Sequence, residues 1–407
     1  MESLRLREMG LLERACAIAS DLPEVDYHVG AEQLDTGLRG FPVGTCWTSS
    51  VDPQIGVTYV GYPISELAYL PPESVIYLLF KKELPNEAQA AAFAEEIARR
   101  SHVDERVFDL LRGLPKEGHP MEWFCTAIQL LGMTGKTGDY EEDALNLMAR
   151  IPAVLAAIFR IREGWGDLIA SEPARGYVEN FVHMLGIPGG NDEAIIKLLR
   201  IYYVLHMDHG GGNLSTFAGK VVASGLADVY QSLASAMNGL AGPRHGLANQ
   251  DCFAMAREID SEDVDEVEKR VRARLDGGGL VYGFGHAVLR QEDPRAQVEF
   301  DVGDEVAADD HWFRVVKALR VAAPRVLKEN PRVQNPYANV DLVSGSLLHA
   351  IGMTDDDYYT TLFGWSRIAG IGAQIVDERM NFRDGRGIAI YRPRYIAVNQ
   401  PSRSVND

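Results

Sequence analysis

Cysteine is scarce in this chain: four in 407 residues, at Cys16, Cys46, Cys125 and Cys252, with no two close enough to make a Cys-x-x-Cys pair. That spacing supports neither a zinc site nor a disulfide framework and points to a reducing compartment, of which the cytoplasm is the simplest. Basic charge is in deficit as well. Lys and Arg number 40 against 58 Asp and Glu, a net charge of −18, which sets aside nucleic acid and anionic membrane as principal partners. The opening MESLRLREMGLLERACAIA mixes both signs of charge, so neither an export signal nor a transit peptide is expected from it. No apolar run reads as long as a membrane span. Strand signals are confined to TSSVDPQIGVTYVGYPI (48–64), where β-branched residues flank an Asp-Pro and a Gly as in a small hairpin.

What remains is helical. From PPESVIYLLFKKELP (71–85) onward, segments with helical periodicity alternate with short Gly/Pro punctuation, so the fold class is all-α apart from the hairpin. One helix shows both ends: Asn191 caps it, Asp192 and Glu193 suit its positive pole, and IIKLLRIYYVLH (195–206) runs apolar nearly all round until Gly210–Gly212, which marks it as central. Residues 215–242 are crowded with Ala, Ser and Gly and suit close packing, either against neighbouring helices or across a subunit interface. At 46% hydrophobic residues the chain is long enough for two domains, or one domain with a lobe. Composition shifts twice and divides it into a large helical domain, 1–246 with 350–407, and a smaller helical lobe, 247–349.

Four Gly- or Pro-rich stretches hold most of the conspicuous polar residues: HMDHGGGN (206–213), GPRHG (242–246), YGFGHAVLRQEDPRA (282–296) and NPYANVDLVSG (335–345). His206 and His209 stand three apart at a helix end, not at the i, i+4 spacing of helical metal ligands, so one is read as a substrate hydrogen-bonding group, the other as structural, and no metal is expected. In GPRHG the turn holds His245 either facing a cleft or as an ordinary loop histidine. Gly283 and Gly285 lack the third glycine of a dinucleotide fingerprint, and no GK[ST] accompanies them; their amides suit a phosphate or thioester, with Arg290 and Arg295 either supplying cations or lying solvated. Asp341 sits among Val340, Leu342 and Val343. There it serves as a turn or cap residue, or as a base whose pKa is raised by burial.

Taken in order, these stretches resemble the citrate synthase family, in particular its eukaryotic-type homodimeric (Si) branch. The resemblance also rests on GLRGFPVGT (37–45), GYPISELA (61–68), GLPKEGHPM (113–121), AMNGLAGPRHGLANQ (236–250), SGSLL (344–348), YYTTLFGWSR (358–367) and YRPR (391–394), and so covers most of the chain. It implies a two-domain helical enzyme whose small lobe closes over its substrates. By motif, His245 and His286 would be the catalytic histidines and Asp341 the base. Arg295, Arg367 and, from the other subunit of a homodimer, Arg392 would hold oxaloacetate, with His209 adding a hydrogen bond. Arg290, the amides around Gly283 and Gly285, and Asn339 would face coenzyme A. No tightly bound cofactor is implied, the acyl-CoA thioester being a co-substrate.

The implied reaction condenses acetyl-CoA with oxaloacetate and hydrolyses citryl-CoA, at the entry to the tricarboxylic acid cycle. Propionyl-CoA, giving 2-methylcitrate, is an alternative, because one methylene in an apolar pocket changes discrimination only about 10- to 200-fold. A non-catalytic acyl-CoA or carboxylate-binding relative is another. Three positions depart from the branch pattern. Gly210 replaces a usual Glu and is expected to loosen the helix end beside His209. Arg244 replaces a Leu or Ala, and either favours a neutral His245 or points to solvent. Leu342 and Val343 give the base a more apolar wall.

Overall fold

The computed structural model describes residues 36–38, 40, 41, 43–383, 385–393 and 404; Cys16, the N-terminal stretch and Arg394 lie outside the described residues. Its only sheet among these residues is antiparallel and has three strands, β1 (Ser49–Asp52), β2 (Gly56–Tyr59) and β3 (Tyr62–Pro63), in the order β1-β2-β3. Ser49 pairs with Tyr59 and Asp52 with Gly56, and Tyr62 and Pro63, within the 48–64 stretch read as a hairpin, add a short third strand. The Asp52 carboxylate accepts from Gln54 N and Ile55 N and closes the turn.

Sixteen α-helices make up the rest of the described secondary structure, apart from two 3-10 turns. They are α1 (Ile64–Leu67), α2 (Pro72–Lys81), α3 (Glu87–Arg100), α4 (Glu105–Arg112), α5 (Pro120–Gly135), α6 (Tyr140–Glu163), α7 (Tyr177–Leu185) and α8 (Asp192–His206). There follow α9 (Leu214–Ser224), α10 (Val229–Leu240), α11 (Ala248–Ile259), α12 (Val264–Asp276), α13 (Pro294–Val306), α14 (His311–Leu327), α15 (Asp341–Ala350) and α16 (Tyr359–Asn381). Their ends follow local chemistry. Asn191 caps α8 by accepting from Ala194 N at 3.4 Å; Asn86 and Gln89 form a reciprocal capping box on α3; Gly164, left-handed at φ 68°, ends α6.

The small-residue stretch proves to be two helices. Leu226, at φ 66°, separates α9 from α10, and the pair packs against itself within the chain. A Cβ on Gly219 would lie 3.1 Å from the Ala236 Cβ, so the glycine sets how closely the two axes approach. Around them lie α5, α6 and α16, the last buried from Tyr359 to Glu378. Helix α8 packs on α7, α13 and α16, burying Leu198, Leu199 and Leu205 completely, each worth about 1.5–3 kcal/mol. A second set of helices, α11, α12, α14 and α15, packs mutually, with α13 touching both α15 and α8.

One reading of the apolar runs needs correction. The 24 residues of α6 are long and apolar enough to cross a bilayer, yet 83% of their apolar window is buried inside the protein. Hydropathy alone does not distinguish a core helix from a span; here the apolar surface is already covered by α5, α7 and α16.

Candidate active site

All four motifs contribute to one partly buried cluster: His209 lies against His286, Asn339 links the 283–286 loop to Asp341, and Arg367 acts on both His245 and Asp341. The C-terminal end of α8 delivers HMDHGGGN. There His206 is fully buried, its Nδ1 is 2.8 Å from Tyr202 O, its ring stacks on Tyr202, and burial holds its pKa down to about 3. It is the structural histidine of the pair. Asp208, wholly buried, accepts from Thr48 Oγ1, His209 N (2.9 Å) and Gln374 Nε2 (2.8 Å), while its own amide donates to Tyr59 Oη at 3.0 Å. Gly210 is not a loose helix end, because α8 stops at His206 and Gly210 N donates to Ser49 Oγ at 2.7 Å.

His209 meets His286, the two Nε2 atoms 3.2 Å apart. Nδ1 of His286 accepts from Val288 N (3.1 Å) and Leu289 N (3.0 Å), so a neutral His286 carries its proton on Nε2 and donates it to His209. Both rings are held below the ordinary imidazole pKa, by burial first and then by Arg295. His245 lies in the turn after α10, its Nε2 2.8 Å from the buried Ser215 hydroxyl. Burial, then Arg367, brings its pKa to about 4. Arg244 is exposed, and the cation that acts on His245 is Arg367. Gly246 permits the turn: a Cβ there would stand 2.4 Å from Leu240 O.

Arg295 is 4% exposed and joined to Asp293, also buried, with Nη2 2.7 Å from Oδ2. Asp293 is the N-cap of α13, accepting from Arg295 N at 3.0 Å, and Arg295 keeps its carboxyl below the usual range against a strong burial penalty. Arg367, in α16, is different. It is 2% exposed, its Nε donates to His206 O at 2.8 Å, its guanidinium lies 4.6 Å from the Phe363 ring centroid, and its two terminal nitrogens have no acceptor among the described residues. Burial without a carboxylate partner lowers its pKa to about 10. A bare buried cation is costly, and this one has open donors.

Asp341 is the first residue of α15. Burial raises its carboxyl pKa to about 6 although Arg295 and Arg367 both pull the other way. The position of α15 is set by Asn339, whose Oδ1 accepts from Asp341 N (3.1 Å) and whose Nδ2 donates to Gly285 O (2.9 Å). Asn339 was expected to face coenzyme A; in this structure its amide joins α15 to the 283–286 loop, with one N–H and one oxygen lone pair still open. Gly285 N likewise donates to Tyr337 O at 2.9 Å. Gly283, at φ 78°, is required by close approach, since a Cβ would lie 2.8 Å from Leu342 Cα. These groups bind the His286 loop to the first turn of the Asp341 helix. Arg290 is exposed and folds over Val288 O and Leu289 O. Arg392 is exposed too, in a segment anchored by Tyr391 to α9, and among the described residues it has no hydrogen bond or ion pair to the cluster.

Three participants escaped the motif reading. Asp293 was legible in principle, as an N-cap before Pro and Arg; Ser215 was not, lying 30 residues from His245. Glu299 is the third: fully buried, four residues beyond Arg295, its two oxygens each 2.9 Å from Ser344 Oγ, which is also 3.0 Å from Val340 O. Ser344 Oγ donates into the Glu299 carboxyl, and burial pushes the pKa of this acid well above the ordinary carboxyl range. A cavity of about 690 Å³ between α3, α6 and residues 167–173 is lined by none of the cluster.

Chemically, the assembly offers two guanidinium groups for an anion, three imidazoles held neutral as hydrogen-bond donors, and one carboxyl that ionises near neutrality. A profile of the citrate synthase C-terminal domain matches residues 37–394. Citrate synthase 4, mitochondrial, of Arabidopsis thaliana is 36% identical over 402 residues, covering 91% of this chain and 83% of its own. The peroxisomal citrate synthase of Saccharomyces cerevisiae is 36% identical over 393 residues (89% and 84%), and the mitochondrial 2-methylcitrate synthase of Yarrowia lipolytica 34% over 400 (91% and 84%). Among solved structures, citrate synthase from Thermotoga maritima superposes with a TM-score of 0.78 at 28% identity, covering 90% of this chain and 96% of that one. The Thermoplasma acidophilum enzyme, determined as a ternary complex with carboxymethyl coenzyme A and oxaloacetate, shares the fold at a TM-score of 0.80 and 22% identity, over 93% and 98%. The cytoplasmic address expected above is corrected by relatives named for mitochondria and peroxisomes: unpaired cysteines report redox poise, not location. By this match, and by its helical architecture, the chain is an acyltransferase that belongs to the citrate synthase family.

Proposed function

We propose that the protein condenses acetyl-CoA with oxaloacetate and hydrolyses the resulting citryl-CoA to citrate and CoA. The observation that carries this reading is Arg367: a buried guanidinium with two free terminal nitrogens, beside Arg295 and three neutral imidazoles, is built for a small dianion. Planar forks suit two carboxylates better than ammonium groups do. Arg392 from a second subunit completes the clamp, and the lobe 247–349 brings His286 and Asp341 onto the bound substrates. The Thermoplasma complex, with its coenzyme A analogue and oxaloacetate, supports the substrate class.

A thioester methyl is a weak carbon acid, so removal of its proton requires both a base and stabilisation of the enolate oxygen. Ionised Asp341 takes the proton. His245 donates to the thioester oxygen from Nδ1, which requires Ser215 to turn its hydroxyl proton onto Nε2. His286 already has its proton on Nε2; it transfers the hydrogen bond from His209 to the ketone oxygen of oxaloacetate and protonates that oxygen as the new carbon–carbon bond forms. Water then cleaves the citryl thioester, releasing CoA.

The test is release of free CoA thiol with oxaloacetate present or absent, using acetyl-CoA and propionyl-CoA in parallel. Oxaloacetate-dependent release supports the reading, and none with either thioester overturns it. Propionyl-CoA is the second reading, favoured by the Yarrowia relative and by the apolar Leu342 and Val343, both buried beside Asp341. A larger kcat/KM for propionyl-CoA would establish it.

A further inference from the structure

The three-stranded sheet contributes no side chain to the proposed chemistry, yet it touches the loops of both paired histidines. At its base, Thr48 Oγ1 donates to Asp208, Ser49 Oγ accepts from Gly210 N at 2.7 Å, and Tyr59 Oη accepts from Asp208 N at 3.0 Å and donates to Val204 O at 2.9 Å. These bonds bracket His209. At its tip, Pro53 O accepts from Arg290 N at 3.0 Å, and Gln54 O accepts from Gln291 Nε2. Gly56, at φ 95°, lies so close to Pro294 that a Cβ would stand 2.7 Å from its Cγ. These contacts bracket the loop that runs from His286 to the N-terminus of α13.

The sheet therefore spans from one histidine's support to the other's. Antiparallel register from Ser49↔Tyr59 to Asp52↔Gly56 makes that span a fixed length, since a ladder does not stretch without breaking its bonds. We infer that the β1-β2 hairpin is a spacer that sets the separation of His209 and His286, with Ser49 and Gly56 as its positioning residues at the two ends. The inference rests on the proposed binding of oxaloacetate by these histidines only for its kinetic consequence; the spacing itself is structural.

Gly56→Ala tests the tip and Ser49→Ala the base, with Ser50→Ala as the control. Ser50 makes a 2.8 Å cross-strand hydrogen bond to Thr58 and, among the described residues, no side-chain hydrogen bond to either histidine loop. A misplacement on the order of 1 Å costs up to about 100-fold, so Gly56→Ala and Ser49→Ala should lower kcat/KM for oxaloacetate about 10- to 100-fold while the KM for acyl-CoA stays put. Ser50→Ala should lower the melting temperature without this selective loss. The same proteins, labelled with ¹⁵N-histidine, report the His209–His286 hydrogen bond directly: both resonances should shift in Gly56→Ala, and that of the remote His311 should not. Unchanged His209 and His286 resonances, or a fall in melting temperature with oxaloacetate kinetics intact, would overturn the spacer. A wild-type protein that releases no thiol would instead overturn the proposed function, and the resonance shifts would still decide this inference.

Discussion

Replacing Asp341 with asparagine separates two consequences of its burial. The native carboxyl titrates at about 6 against an ordinary 3.8, so the folded state binds the proton more tightly than the unfolded chain does. Stability contributed by this group is therefore lost as pH rises from about 4 to about 6, and above that range the full cost persists. At about 1.4 kcal/mol per pH unit, keeping Asp341 ionised at pH 7.5 costs about 3 kcal/mol. Asparagine keeps the shape and discards the charge. Asp341→Asn should consequently melt at a higher temperature than wild type at pH 7.5, with the gap closing toward pH 5. Its oxaloacetate-dependent thiol release should fall at least about 100-fold, because no other base replaces the carboxylate. In the wild type, kcat/KM should drop about tenfold per pH unit below pH 6. A near-normal rate in the variant removes Asp341 as the base. Loss of rate with no pH-dependent gain in melting temperature refutes the desolvation argument while leaving the catalytic one standing.

Other substitutions test other contacts. Arg367→Met replaces an unpaired buried cation by an apolar chain of similar reach; it should raise the KM for oxaloacetate about 100-fold or more while the melting temperature holds or rises, and a fall in melting temperature with the KM unchanged would mean that Arg367 is chiefly structural. Gly246→Ala places a Cβ 2.4 Å from Leu240 O and so displaces His245; a rate loss of about 10- to 100-fold with unchanged oxaloacetate binding by calorimetry is expected, and unchanged rates would show that the turn yields elsewhere. Arg392→Ala should raise the oxaloacetate KM, and mixing it with Arg367→Met subunits should restore some activity through hybrid dimers that retain one intact site. Absence of complementation under conditions of subunit exchange would argue against a clamp shared between subunits.

Much of the helical skeleton was legible because its signals are local. Asn191 and the acids after it start α8 where capping chemistry places them, and the hairpin appears where β-branched residues flank Asp-Pro. The same local signals misread 215–242 as one stretch, since nothing in its composition shows that Leu226 takes a left-handed conformation. The expected coenzyme role of Asn339 came from its motif, whereas its bonds to Asp341 N and Gly285 O depend on where α15 sits against the 283–286 loop. Ser215 and Glu299 are ordinary polar residues until folding buries them beside His245 and Ser344.

What the sequence by itself determined is the inventory: helices punctuated by glycine and proline, a lone hairpin, a deficit of basic charge, and the ordered set of His, Arg and Asp motifs that identify the family. Those features are properties of residues and their near neighbours. Only the tertiary structure decided which groups are paired and which are left open. Arg295 acquires Asp293 and Arg367 acquires no acid, though both are arginines in motifs of the same family resemblance. His206 becomes part of the core and His209 part of the pair with His286, though they stand three residues apart. Protonation state follows from burial and from charges brought close by contacts distant in sequence, so it emerges only once the chain has folded.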